Sequence, residues 1–196
     1  MEFHLELDVK EKIILILIIS GVVVLLIPPL LAGIASHAAQ PECPSCPSFG
    51  VQRFQEKKEA PPFSLKCLDG NTVALRDLKG KPVLLKFWAT WCPTCKEELP
   101  VLEKFAAGRG DQLTILLLAI DGEKDKKVQR AVKENKVTLP VLLDIKEKIA
   151  RTYGVKFIPV TFLVDREGML VGTVVGERDW SSPEAWSAVK ELLGLR

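Results

Sequence analysis

The stretch PVLLKFWATWCPTCKEELP, residues 82–100, determines how the rest of the sequence is interpreted. Its first part, Pro82–Trp88, is a nearly continuous apolar run, which is typical of a strand that is buried on both faces of a sheet. From Cys92 to Ala107 apolar residues recur at the spacing of an amphipathic helix. Cys92 and Cys95 therefore stand three residues apart at a predicted strand-to-helix junction.

This pair of cysteines is spaced for thiol-disulfide chemistry. Two sulfurs three residues apart can close a small ring across the first helical turn, and the free N–H groups and dipole at a helix start stabilise a thiolate. We therefore expect the pKa of the Cys92 thiol to lie below the free value of about 8.5. Cys92 is predicted to be exposed and to act as the nucleophile, and the more buried Cys95 is predicted to resolve the mixed disulfide.

Three other roles for the pair are weaker. A zinc site would need two more ligands, and residues 61–196 offer only Cys67 and no histidine. A peroxiredoxin-like site is suggested by the local Cys-Pro-Thr string, but that chemistry places a threonine three residues before the reactive cysteine, where this chain has Ala89. A purely structural disulfide across so short a loop would remove little entropy from the unfolded chain.

Composition narrows the function classes further. The 196 residues include 27 Lys or Arg and 25 Asp or Glu, and the resulting net charge of +2 argues against a nucleic-acid partner. The two histidines of the sequence, His4 and His37, both precede residue 61. Catalysis by Cys-His or Ser-His-Asp groups is therefore excluded for residues 61–196, and we expect neither a metal nor a cofactor there.

A membrane segment is predicted near the N-terminus. Residues 13–35 carry no charged side chain and are long enough to cross a bilayer core of about 30 Å as a helix. Lys10 and Lys12 precede this segment, which favours a cytoplasmic side for residues 1–12 and an extracytoplasmic, periplasmic side for the globular part. A cleaved signal peptide is the alternative, and it would export the same domain.

Residues 36–60 are predicted to form a tether, because prolines recur there and its second half is polar. The tether contains a second C-x-x-C pair, Cys43 and Cys46. Three interpretations stay open for it: a redox-active dithiol that exchanges with the first pair or a membrane reductant, a solvent-exposed disulfide, or a metal-binding pair completed by a partner chain. Haem attachment is excluded, because Pro47 stands where histidine would be required.

Residues 61–196 suffice for one α/β domain. Phe63–Leu68 and Thr72–Leu75 flank the turn sequence DGN and predict a β-hairpin. Cys67 alternates with apolar neighbours on its first strand, which is typical of a buried free thiol. Farther along, buried strands alternate with helices, which predicts a central mixed sheet flanked by helices. The later predicted elements are strands at Leu113–Ile120, Leu139–Leu143, Val160–Asp165 and Met169–Val175, and helices at Glu123–Lys136, Ile145–Tyr153 and Ser182–Leu193.

The second two-thirds of the chain, from Pro61 to Gly194, resembles the thioredoxin superfamily, specifically the membrane-tethered thiol-disulfide oxidoreductases of the TlpA, ResA and CcmG type. The matching strings are APPFSL with LDG (60–70), LKGKPV (78–83), FWATWCPTCKEELP (87–100) and YGV with IPVTF (153–162). The resemblance implies a thioredoxin-like α/β fold with an N-terminal hairpin and an N-terminal transmembrane helix.

The resemblance also implies roles for individual residues. Pro159 matches a proline that is cis in this fold, and the Ile158 backbone would pair with an extended substrate segment. Glu98 matches an acidic residue that tunes the active-site thiols; the alternative is an ordinary solvated charge on the helix. The residues expected to contact the substrate are Trp91, Pro93, Thr94, Ile158 and Pro159.

As a function, the resemblance implies a protein disulfide reductase that uses Cys92, Cys95 and Glu98, serves cytochrome c maturation and receives electrons from a membrane donor of the DsbD or CcdA type. A disulfide-containing or dithiol protein is the expected client. A peroxiredoxin-like peroxidase and a non-catalytic tethered binding or chaperone-like module are the alternatives. One departure matters: thioredoxin has a buried acid six residues before its first cysteine, and this chain has Lys86 there.

Overall fold

A computed structural model of the chain describes residues 42–195. The helices are α1 (Cys46–Phe49), α2 (Pro93–Ala106), α3 (Asp125–Glu134), α4 (Lys148–Thr152) and α5 (Pro183–Leu193). The strands are β1 (Val51–Glu59), β2 (Ser64–Lys66), β3 (Thr72–Ala74), β4 (Val83–Trp88), β5 (Thr114–Ala119), β6 (Val141–Leu143), β7 (Val160–Val164) and β8 (Met169–Val175). Short 3₁₀ turns precede β4, α3 and α4.

A six-stranded mixed sheet forms the centre of the domain, in the order β1-β8-β7-β4-β5-β6. β4 runs parallel to β5, and β5 runs parallel to β6, whereas β7 is antiparallel to β4 and to β8. All six residues of β4 are buried, as its apolar sequence predicts. The predicted mixed α/β sheet is confirmed. β4 lies in the interior of this sheet, and the chain runs from its end to Cys92.

The predicted hairpin is also confirmed. β2 and β3 pair as a separate two-stranded sheet, and the Asp69 carboxylate accepts a hydrogen bond from the Asn71 backbone N–H in the turn. A single antiparallel bridge between Cys67 and Leu142 joins this hairpin to the β6 edge of the large sheet. The hairpin therefore covers part of that edge.

The tether prediction differs from the structure over residues 42–60. This segment forms α1 and then β1, which pairs antiparallel with β8 and becomes the edge strand of the large sheet. The close approach is possible because Gly172 lacks a β-carbon, which would lie 3.0 Å from the Gln52 carbonyl oxygen. The domain therefore begins before residue 61, and β7 and β8 both lie inside the sheet rather than at its edge.

No helix within residues 42–195 is long and apolar enough to cross a membrane. The predicted membrane segment, residues 13–35, and the predicted cytoplasmic stretch, residues 1–12, lie outside the described residues. The anchor therefore stays a prediction.

Candidate active site

Cys92 and Cys95 form a disulfide at the junction between β4 and α2. Cys92 is the residue that caps the N-terminus of α2, and its extended backbone turns the chain from the strand into the helix. Its sulfur accepts a hydrogen bond from the Cys95 backbone N–H, with 3.2 Å between nitrogen and sulfur. Backbone N–H groups at a helix start stabilise negative charge, so this position suits a Cys92 thiolate when the disulfide is open.

The exposure predicted for Cys92 is wrong for the oxidised pair. Cys92 is 5% exposed and Cys95 is fully buried. The disulfide holds the Cys92 sulfur against the first turn of α2, where the Cys95 N–H also binds it, and this limits its exposure. The order of accessibility nevertheless matches the predicted roles, since Cys92 is the more accessible of the two sulfur-bearing residues.

The residues around the pair differ in their exposure. Trp91 is 61% exposed, and Pro93 is also exposed, whereas Thr94 is half-buried. The Thr94 hydroxyl lies 3.6 Å from the Cys92 sulfur. These three residues therefore form the surface that a partner of Cys92 would meet, while Trp88, at the end of β4, is buried in the core.

The Ile158–Pro159 peptide bond is cis, as the resemblance implies. Phe87 near the end of β4 is the register partner of Val160 at the start of β7. The residues before β7 therefore lie at the end of the sheet where the chain leaves β4 and enters α2. The Pro159 carbonyl accepts a bond from the Gly176 N–H at 2.8 Å. Among residues 42–195 the Ile158 backbone makes no hydrogen bond, so it is available to an extended peptide.

A surface groove of about 360 Å³ joins two predicted site residues, Trp91 and Ile158. Phe157, which is 75% exposed, also lines this groove. Exposed large aromatic side chains next to an unpaired backbone are typical of a surface that binds other proteins.

Glu98 lies on α2 one turn beyond Cys95 and is 2% exposed, so the solvated-charge interpretation is wrong. Its Oε1 accepts hydrogen bonds from the Arg178 backbone N–H at 2.9 Å and from Trp180 Nε1 at 3.1 Å. Its Oε2 accepts a hydrogen bond from Lys86 Nζ. The carboxylate is therefore fixed by three donors in the core, close along the helix to the resolving cysteine.

Lys86 is the residue whose role sequence reasoning missed. Its side chain is 1% exposed and forms an ion pair with Glu98. Burial lowers the pKa of the Lys86 ammonium group, and the negative charge of Glu98 opposes that shift. The signal was present in the sequence, because a lysine inside the apolar run of β4 requires a buried partner.

Asp121 is a second residue that the sequence analysis did not single out. It follows β5, is 4% exposed, and accepts hydrogen bonds from the Thr90 hydroxyl at 2.6 Å and the Thr90 backbone N–H at 3.2 Å. Because β4 and β5 are parallel, the ends of both strands meet at one sheet edge. Asp121 thereby holds the loop that carries Cys92.

The second C-x-x-C pair, Cys43–Cys46, also forms a disulfide, but the solvent-exposed interpretation is wrong. Cys43 is 7% and Cys46 is 2% exposed. Ser45 donates from its backbone N–H and its hydroxyl to the Glu191 carboxylate of α5, at 2.9 and 2.8 Å. The pair is thus part of the folded domain.

Cys67 is a buried free thiol, as predicted. Burial raises the pKa of this thiol, and the negative charge of Asp69 raises it further. Within the described part of the chain no group of three or more His, Cys, Asp or Glu side chains could hold a metal ion.

A C-x-x-C disulfide at a helix start, a cis-proline before the neighbouring strand and a central mixed sheet define a thioredoxin-like redox protein. The chain belongs to the AhpC/TSA family, whose model matches residues 57–173. It is a thiol-disulfide oxidoreductase of the ResA and DsbE type.

Two curated relatives and one solved structure illustrate the likeness. The thioredoxin-like protein YneN of Bacillus subtilis is 40% identical over 125 residues, which cover 63% of this chain and 73% of that protein. The thiol-disulfide oxidoreductase ResA of Bacillus anthracis is 38% identical over 128 residues, or 65% of this chain and 73% of that protein. A structure described as a DsbE-type thiol:disulfide interchange protein from Chlorobium tepidum has a TM-score of 0.65 and 28% identity, and covers 72% of this chain and 99% of that chain.

Proposed function

We propose that this chain is a protein disulfide reductase that works through Cys92 and Cys95. The observation that carries the proposal is the position of the Cys92–Cys95 disulfide at the start of α2, at the sheet edge where the cis Ile158–Pro159 bond begins β7. A thiolate nucleophile and an unpaired backbone for the substrate thereby share one surface. Glu98, fixed in the core one turn from Cys95, is the third member of the catalytic site.

The reaction proceeds in two exchanges. The Cys92 thiolate attacks one sulfur of a substrate disulfide, forming a mixed disulfide, while the other substrate sulfur leaves as a thiolate and takes a proton from water. The Cys95 thiolate then attacks the Cys92 sulfur, which releases the second substrate thiol and forms the Cys92–Cys95 disulfide. Two electrons pass to the substrate, and an external dithiol must restore the pair.

The substrate is a disulfide in an extended protein segment. Its backbone would pair with Ile158 in the manner of an added strand, and its side chains would lie along the groove between Trp91 and Phe157. Pro93 and Thr94 would contact the residues next to the attacked sulfur. Three of the five predicted substrate contacts, Trp91, Pro93 and Thr94, belong to the same chain segment as Cys92.

We place this activity outside the cytoplasm, on a domain anchored by residues 13–35. The support is the uncharged length of that segment and the cations that precede it, and an oxidising compartment is where disulfide substrates occur. A membrane dithiol donor of the DsbD or CcdA type would then regenerate Cys92 and Cys95. The role in cytochrome c maturation rests on the resemblance of residues 61–194 to the ResA- and CcmG-type oxidoreductases.

The central test uses the full chain in detergent and the Cys95→Ser variant. Without Cys95 the mixed disulfide on Cys92 cannot be resolved, so this variant should accumulate covalent complexes with client proteins, whereas Cys92→Ser should accumulate none. The wild-type chain should reduce a model protein disulfide. Failure of both trapping and reduction would favour the non-catalytic binding module, and peroxidase activity that survives Cys95→Ser would favour the peroxiredoxin-like alternative.

The relay hypothesis for the second pair needs its own test. Exchange between Cys43–Cys46 and Cys92–Cys95 would require α1 to leave its place on α5, because both sulfur-bearing residues are buried there. Mass spectrometry of redox states in the Cys43→Ser/Cys46→Ser variant distinguishes the outcomes. Unchanged turnover and the absence of any mixed disulfide through Cys43 or Cys46 in the wild-type chain would exclude the relay.

A further inference from the structure

Lys86 lies within β4, where every residue is buried, and its side chain is 1% exposed. Its ammonium group donates to the Glu98 carboxylate, so a full ion pair lies in the core. A buried ion pair is weak evidence for stability, because well-packed apolar residues of similar volume usually stabilise a core as well or better. A contribution to stability is therefore a weak explanation for this pair.

The location of the pair gives it access to the thiol chemistry. Glu98 follows Cys95 by three residues on α2, and side chains at that spacing are neighbours on a helix, with Cβ atoms about 5–6 Å apart. An uncompensated carboxylate there would disfavour a second negative charge on a nearby sulfur. The Lys86 ammonium group supplies the compensating charge.

The other groups around Lys86 do not replace Glu98 as the partner of its ammonium group. Its register partners are Thr161 on β7 and Leu117 on β5, and neither carries a charge. Glu177 attracts and Arg178 repels its ammonium group from the segment after β8. The Trp180 ring centre lies 5.8 Å from Lys86 Nζ. The carboxylate that accepts from Lys86 is that of Glu98.

We infer that Lys86 is a positioning residue for thiol exchange: it holds the Glu98 carboxylate and cancels its charge, and thereby favours the thiolate forms of Cys92 and Cys95. This role rests on the proposed use of the two cysteines as the redox pair. It gives the chain a neutral buried pair beside the thiols, where a lone buried carboxylate would otherwise oppose their ionisation.

The test measures thiol ionisation directly. The reduced full chain is alkylated with iodoacetamide across a pH series, and peptide mass spectrometry follows Cys92 and Cys95 separately from Cys67. Lys86→Met keeps the length of the side chain and removes its charge. The pH midpoint of alkylation at Cys95 should rise by about one unit, which lowers the alkylation rate about tenfold at a pH below the midpoint.

Two further variants separate charge from structure. Lys86→Met/Glu98→Gln leaves no unpaired charge, so its midpoint should return toward the wild-type value. Glu98→Gln alone leaves the Lys86 charge in place, so its midpoint should fall below that of the double variant. The midpoints of Glu98→Gln and of Lys86→Met/Glu98→Gln can be compared with each other even if Lys86→Met does not fold. Equal midpoints in all folded variants, with changes only in unfolding free energy, would overturn the inference and leave Lys86 a structural residue.

Failure of this inference is distinguishable from failure of the proposed function. Alkylation needs no disulfide substrate, so the midpoints can be measured even if the wild-type chain reduces nothing. Conversely, a wild-type chain that traps clients through Cys92 but shows no midpoint shift in Lys86→Met would retain the reductase function and lose only the role of Lys86.

Discussion

The Thr90 hydroxyl donates a 2.6 Å hydrogen bond to the buried Asp121 carboxylate, and this bond joins the loop after β4 to the end of β5. The Thr90 backbone N–H donates to the same carboxylate at 3.2 Å. Both strands end at the sheet edge that carries Cys92. One side chain just beyond the end of a neighbouring strand therefore holds the loop that leads into the redox pair.

Asp121→Ala should destabilise the domain and slow thiol exchange. The substitution leaves two partly buried donors of Thr90 without their carboxylate partner, and loss of hydrogen bonds to a charged group costs about 1.5–3 kcal/mol each in favourable cases. Urea unfolding monitored by tryptophan fluorescence checks the stability. Thr90→Val, which removes one donor and keeps the shape of the side chain, should have the smaller effect. A larger effect for Thr90→Val would contradict this arrangement.

Trp91→Ala should weaken client capture and leave the fold intact. Trp91 is exposed along the groove that also contains Phe157 and Ile158, and removal of a central aromatic side chain from a protein interface costs about 2 kcal/mol or more. The affinity of the Cys95→Ser trap for a client peptide should fall at least tenfold. Ile145→Ala is the matched control, because Ile145 is an exposed apolar residue outside this groove; an equal loss there would refute the assignment.

Phe49→Ala should release the N-terminal segment from the domain. Phe49 is 4% exposed, and its ring lies edge-on to Trp180 with 5.0 Å between the ring centres. Truncation of a buried phenylalanine costs about 3–5 kcal/mol. Hydrogen exchange should show faster exchange for the amides of β1 than for those of β4. Uniform loss of protection in both strands would instead mean that β1 unfolds only with the whole domain.

The Cys43→Ser/Cys46→Ser variant should be less stable than the wild-type chain by about 2 kcal/mol, because the short loop that the disulfide closes restricts the unfolded chain only modestly. Ser45 and its bonds to Glu191 are retained in this variant. Chemical unfolding of both proteins under non-reducing conditions measures the difference. An unchanged free energy of unfolding would show that the disulfide contributes nothing beyond the contacts around it.

The pH dependence of stability should carry a contribution from Cys67. Because burial raises the pKa of its thiol in the folded chain, the contribution is fully present below the unfolded thiol's pKa of about 8.5. It is lost as the pH rises through the higher pKa of the folded state. The stability difference between wild type and Cys67→Ala should therefore shrink as the pH rises above about 8.5, and a constant difference across that range would contradict the assignment.

The parts of the fold that lie in its core could be predicted from sequence, because burial on both faces of β4 leaves an unbroken apolar run. β1 could not, since an edge strand that is mostly exposed has the polar composition of a linker, and its partner β8 is more than a hundred residues away in the chain. The Lys86–Glu98 pair was missed for a similar reason. Lys86 within the apolar run of β4 indicates a buried partner, but only the packing of α2 against β4 shows that this partner is Glu98.

The position of β1 at one edge of the sheet affects whether the strands of other protein molecules can pair with that edge. An unprotected edge of a β-sheet invites pairing with another molecule and thereby aggregation. β1 presents mostly charged and polar side chains and an irregular register between Arg53 and Lys58, and at the opposite edge the β2–β3 hairpin bridges to β6. Both features discourage indiscriminate strand addition. Under the proposed function, this leaves the Ile158 backbone, beside the redox pair, as the place where an extended client pairs.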